Sequence, residues 1–194
     1  WSSWKSSLLS ELYLSIKACL GANCHIEQLG QDEEDQGVRW LQEQIRQRLN
    51  GQAPRIDIAT LPADYLLSYS LEAVQRHLTI HAEKEVRLKQ QVMLFAEARK
   101  RSWSLLIMGP DRVGLLAKFC GVLALHNLSV RSAQIFTWPD GTVVDTLEVV
   151  PATRRSFEEQ DWEQVERDLN LAINYRLDIG YQLHERTQPQ TARS

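Results

Sequence analysis

The residues best placed for chemistry are consecutive: Pro110-Asp111-Arg112-Val113-Gly114-Leu115-Leu116. Gly114 permits close backbone approach, and amide N–H groups at a helix start can bind a small anion such as a carboxylate. Asp111 offers a partner for an amino group. Together these suit a free amino acid. The plainer alternative is a capped helix start, with Asp111 as N-cap and Gly114 for tight packing. Local chemistry alone favours that alternative.

The remaining chemistry-bearing residues are weaker candidates. His77 and His81 share one helical face at the spacing two metal ligands need, but no Glu follows His77 and no Asp follows His81. Cys19, Cys24 and His25 lack a second ligand pair. Asp32 to Asp35 read as a solvated acidic run. The chain has no phosphate-binding glycine loop with Lys, no nucleophile elbow and no paired-Asp strand. Neither catalytic residues nor a metal site nor a cofactor is assigned.

The elements that hold the loop follow from periodicity. Trp103 to Met108 is an apolar strand leading into it, and Val113, Leu116, Ala117, Cys120, Leu123 and Ala124 make one helical face leading out. Val130 to Thr137 and Thr142 to Val150 are strands joined by a Trp138-Pro139-Asp140-Gly141 turn. Trp162, Val165, Leu169, Ala172 and Ile173 mark a further helix, and Ile179 to His184 alternates as a last short strand. The order is β-α-β-β-α-β, a ferredoxin-like arrangement.

Upstream, residues 1–20 and 37–49 read as amphipathic helices. The stretch 22–36 between them is a loop or the acidic start of the second helix. Pro62 opens a short helix, and Ser70 caps another beginning at Leu71. The run Gln91 to Ala96 fits either a continuation of that helix or a strand turning into Trp103. Val-Met-Leu-Phe in a row favours the strand. The expected class is α+β. A helical segment over 1–88 and a connecting strand and turn over 89–102 precede a ferredoxin-like domain over 103–186 and a disordered tail over 187–194.

A net charge of −3 gives no bulk attraction to nucleic acid or an anionic membrane. Three irregularly spaced cysteines argue against a disulfide framework and for the cytoplasm. The chain opens on Trp1, which reads as a piece of a longer protein.

At residues 103–186 the chain resembles an ACT domain, and Pro110 to Leu116 is similar to that family's D-R-P-G-L-L turn, with Val113 where Pro is usual. Trp4-Lys5, Leu8-Leu9-x-Glu11-Leu12-Tyr13, Leu61-Pro62-x-x-Tyr65-Leu66-Leu67 and His77 after Ser70-x-Glu72 resemble a known region. It lies between the HD domain and the first ACT domain of the bifunctional uridylyltransferase/uridylyl-removing enzymes of the PII signal protein. Ile135-Phe136-Thr137-x-x-Asp140-Gly141-x-x-x-Asp145-Thr146 adds to the likeness.

The resemblance implies a non-catalytic regulatory portion of a nitrogen-sensing nucleotidyltransferase. It implies an amino-acid effector, glutamine in that family, bound at Asp111, Arg112, Val113, Gly114 and Leu115 with Ile135 lining the site. It also implies contact with other domains of the parent protein and, through the parent, with a PII-like protein. The rival expectation is an interaction module whose ACT sheet pairs with a second ACT sheet and binds no small ligand. A third is an enzyme fragment that completes an active site elsewhere, with metal binding through His77 or His81.

Overall fold

A computed structural model of the protein describes residues 31–49, 55–152 and 157–187. The expected helix over 1–20 and the residues 188–194 of the expected tail lie outside them. Helix α1 spans Gln31–Arg48, so the acidic run belongs to a helix start. A 3-10 turn at Ile58–Thr60 follows, with the Asp57 side chain accepting the Ala59 N–H. Helix α2 is Ala63–Ser68, and α3 is Leu71–Leu88. Ser70 caps α3 by accepting the Ala73 N–H.

The chain then enters a four-stranded sheet. Its strands are β1 (Met93–Ala98), β2 (Trp103–Pro110), β3 (Leu128–Thr137) and β4 (Thr142–Pro151). Helix α4 (Leu115–Leu125) joins β2 to β3; α5 (Glu159–Ile173) and α6 (Ile179–Thr187) follow β4. The spatial order is β1-β2-β4-β3, and every pairing is antiparallel. The strand reading of 91–96 is the one observed, and the turn at Trp138–Gly141 closes with Trp138 N–H donating to Thr142 C=O at 2.8 Å.

The expected last strand over Ile179–His184 is not one. Those residues are helix α6. Two causes are visible. The place beside β2 that a closing strand would fill is already held by β1. Asp178 also starts a helix locally, its carboxylate accepting the Tyr181 N–H at 2.9 Å. Ile179 then seats on α4 at Gly121, where an added Cβ would meet the Ile179 Cγ2 at 2.7 Å.

Each face of the sheet carries its own core. Leu105, Ile107, Val143, Leu147 and Val149 face α4 and α5, packing on Phe119, Val122, Trp162 and Leu169. Leu106, Met108, Val144 and Met93 face the upstream helices, packing on Ile45, Tyr65, Leu66, Val74, Leu78 and Trp138. This is the two-fold alternation of strands, here with both faces covered. Side chains of α5 cover the start of β1's outer edge. Asn170 accepts the Val92 N–H and donates to the Val92 C=O, and Glu166 accepts the Leu94 N–H. Part of an unpaired strand edge is thereby satisfied without another strand.

A candidate ligand groove at the start of α4

The loop after β2 is pinned at one point. The Asp111 N–H donates to the Gly141 C=O at 2.9 Å, tying it to the β3–β4 turn. The chain then turns, with Leu115 N–H donating to Arg112 C=O at 3.0 Å, and enters α4. The N-cap is Gly114, at φ 75°, and not Asp111 as the capped-helix alternative has it. The left-handed conformation is open to Gly at little strain, which is the reason for Gly there. Gly114 brings no side chain to satisfy the first-turn amides. The helical ladder starts with Lys118 N–H to Gly114 C=O, which leaves the amides of Leu116 and Ala117 ahead of it.

A groove of about 420 Å³ opens at this helix start. Asp111, Arg112, Val113, Gly114, Leu115 and Leu116 line one wall, and Ile135, Thr137, Val143 and Asp145 the other. All six residues singled out in the sequence therefore border one space. Its rim is open to solvent and mixes the exposed Asp111 and Arg112 with apolar side chains: Val113 is 94% exposed, Leu116 43% and Ile135 42%.

The inner wall contains a charged group that the sequence reading left out of the site. Asp145 sits on β4 between Ile107 of β2 and Ile135 of β3, and is 2% exposed. Its Oδ1 accepts the Phe136 N–H at 3.3 Å. Burial pushes its carboxyl up to about 7; the Phe136 N–H opposes this and the Asp111 charge adds to it. The available signal was an Asp set among Val143, Val144 and Leu147, where a buried strand wants apolar residues. Thr137, Val143 and Leu116 join the site through the hairpin register and the helix start.

His77 and His81 do not converge on a common ligand. His77 Nδ1 hydrogen-bonds the Tyr65 hydroxyl at 2.9 Å, and His81 Nε2 hydrogen-bonds the Asp140 carboxylate at 2.8 Å. Burial lowers His77 to about 4, so it is neutral near pH 7. Tyr69 reaches the sheet as well, its hydroxyl donating to Thr146 Oγ1 at 2.9 Å. The His81 and Tyr69 bonds dock the helical segment on the sheet face opposite the groove, and the His77 bond ties α3 to α2. Among the described residues no three His, Cys, Asp or Glu side chains gather as a metal site.

A larger cleft of about 710 Å³ lies at the β1 edge of the sheet, between α3 and α5. Arg87 pairs there with Glu166, Arg76 with Glu97 and Arg167 with Glu163. It has neither the α4 start nor the buried Asp145 carboxyl that distinguish the groove.

The family model for the ACT domain matches residues 103–156, the stretch that holds the loop, α4, β3 and β4. This segment is an ACT domain. Beyond it, the similarity to bifunctional uridylyltransferase/uridylyl-removing enzymes covers most of the chain. The Photobacterium profundum enzyme is 29% identical over 178 residues, 89% of this chain and 20% of the relative. The Vibrio campbellii enzyme is 26% identical over 163 residues, 82% and 18% respectively. The Rhodospirillum rubrum enzyme is 26% identical over 165 residues, 83% and 17%. The chain thus spans about a fifth or less of the length of these curated relatives. The ACT domain here draws the strand beside β2 from upstream, in place of the closing strand expected after α5. Among the described residues no helix is long and apolar enough to cross a membrane.

Proposed function

We propose that the chain is a non-catalytic regulatory portion of a uridylyltransferase-like nitrogen-sensing protein of the cytoplasm, and that its ACT domain binds an amino acid, glutamine by resemblance. The observation that carries this reading is the groove. At one side stands the first turn of α4, where the Leu116 amide has no backbone partner among the described residues and is suited to a carboxylate, and the exposed Val113, Leu116 and Ile135 supply apolar surface at its mouth.

A physical route leads from the groove to the upstream helices. The Asp111 amide is bonded to Gly141. The neighbouring Asp140 carboxylate accepts the Thr142 N–H through Oδ1 and bonds His81 of α3 through Oδ2. A ligand that favours one position of the loop biases the turn and so the docking of α3. The coupling this requires is typically ~1–3 kcal/mol. In the parent protein the helical segment would pass that bias to the other domains, and through them to a PII-like partner. Calorimetric titration of the folded chain with glutamine and a panel of other amino acids tests the reading. Saturable heat for one of them is expected, and flat titrations throughout would remove the site.

The second reading, an ACT interaction module without a ligand, is favoured by β3. It is the free edge of the sheet, and residues 129–135 are exposed on both its faces. Asp111→Ala combined with Gly114→Val separates the two. Loss of the ligand response at unchanged oligomer size supports sensing, whereas a wild-type chain that pairs and never responds supports the module.

A further inference from the structure

We propose that Asp145 receives the ammonium group of the effector, making it the residue by which the groove selects an amino acid over other small carboxylates. This rests on the amino-acid reading of the groove.

Asp145 is out of balance with its surroundings. It is almost fully buried, yet its hydrogen-bond partner among the described residues is one backbone N–H at 3.3 Å. A carboxylate has about four acceptor sites, and a single backbone N–H fills one of them. Among the described residues no cation is brought to it. Arg112 of the loop lines the same groove but is exposed and joins no ion pair among the described residues. Lys118 of α4 points elsewhere, its Nζ 3.4 Å from the Ile173 carbonyl and over the Tyr175 ring. The other ionisable groups that act on Asp145 or are acted on by it are Asp111 across the groove and Tyr69 on the far side of the sheet.

Two carboxyls therefore border one small space that opens to solvent, and the one cation lining it among the described residues, the exposed Arg112, is not paired with Asp145. An incoming ammonium would pair with Asp145 and relieve its proximity to Asp111. The first-turn amides of α4 stand at the other wall and favour negative charge. The buried Asp145 carboxyl on the β4 wall and the helix-start amides of α4 opposite it suit the two ends of a zwitterion. This arrangement disfavours an oxo acid or an N-acylated amino acid, which present the carboxylate alone. Near neutral pH the Asp145 carboxyl holds a proton part of the time, so capture of an ammonium expels it.

The test is calorimetry of the wild-type chain with glutamine and with N-acetylglutamine, in two buffers of different ionisation enthalpy near neutral pH. The Asp145→Asn variant is titrated in parallel. Expected are binding of glutamine with release of a fraction of a proton, and no binding of N-acetylglutamine. In the variant, affinity should fall about tenfold or more with no proton release. If N-acetylglutamine binds the wild type as tightly as glutamine, the role assigned to Asp145 is wrong while the amino-acid groove stands. Equal affinity and equal proton count in Asp145→Asn overturn that role in the same way. A wild-type chain that binds no amino acid overturns both. The wild-type comparisons need no variant, so the outcome does not depend on how well Asp145→Asn folds.

Discussion

Two buried titratable groups, Asp145 on β4 and His77 on α3, act on stability in opposite directions over nearly the same pH range. Asp145 rises from 3.8 to about 7, so between those values the folded chain holds more protons than the unfolded one. Its contribution falls as pH rises through that window. His77 drops from 6.5 to about 4, so the folded chain holds fewer protons there, and its contribution is lost as pH falls from 6.5 toward 4. Each effect is on the order of a few kcal/mol. Together they largely cancel between pH 4 and 6.5. Urea denaturation across this range is expected to show steeper pH dependence in each single variant than in wild type. Asp145→Asn should gain stability as pH rises, and His77→Gln should lose it. Parallel profiles for wild type and both variants would show that neither group is perturbed. The loop residues Asp111 to Leu115 were legible in the sequence because they are contiguous and their spacing is that of a turn and helix start. Asp145 was not, because it comes to the groove only through the β3–β4 register, opposite Ile135.

Among the elements, α3 and the β3–β4 turn are joined by a side-chain bond that lies on the proposed route. His81 is buried, its Nε2 spent on Asp140, its Nδ1 without a hydrogen-bond partner among the described residues, and its ring 5.3 Å from that of Trp138. His81→Ala removes the bond and leaves a small cavity, a loss of about 1–3 kcal/mol by urea unfolding. On the proposed route it also uncouples the groove from the helices. Hydrogen exchange of α3 amides should change on adding glutamine in the wild type and stay unchanged in His81→Ala. An equal response in both would place the transmission elsewhere. The amphipathic rhythm of α3 and the Ser70 cap were readable in advance. For β1 the sequence left a continuing helix and a strand both open, and favoured the strand because four large apolar residues in a row suit one buried in a sheet. Residues 179–184 misled because Ile-Gly-Tyr-Gln-Leu-His alternates with the period of a strand. The deciding signals, the Asp178 cap and the occupied place beside β2, are one local and one tertiary.

The whole molecule is built on one sheet shared by two cores. Leu105 and Ile107 belong to the first, Leu106 and Met108 to the second, and all four are consecutive on β2. A chain shortened to begin at Trp103 keeps most of the first core, without Val92, and loses β1 and the helices that cover the other side. It is expected to aggregate or to bind hydrophobic dyes, whereas one beginning at Gln31 folds. Size-exclusion chromatography and near-ultraviolet circular dichroism distinguish the two, and a monomeric, well-folded short form would show the second core to be dispensable. The α+β class was accessible from the order of periodic segments. The sharing of β2 was not, since a continuous apolar run says only that both sides are covered and not by what.

The borrowed strand also bears on inheritance. The stretch that matches the ACT family begins at Trp103, after β1 has already been laid down. A gene rearrangement or a designed fusion cut at that boundary would deliver a three-stranded remnant with an open flank at β2. To move as a working part, this domain has to carry its lead-in with it, so the helices and the sheet are expected to have travelled, duplicated and diverged as one piece.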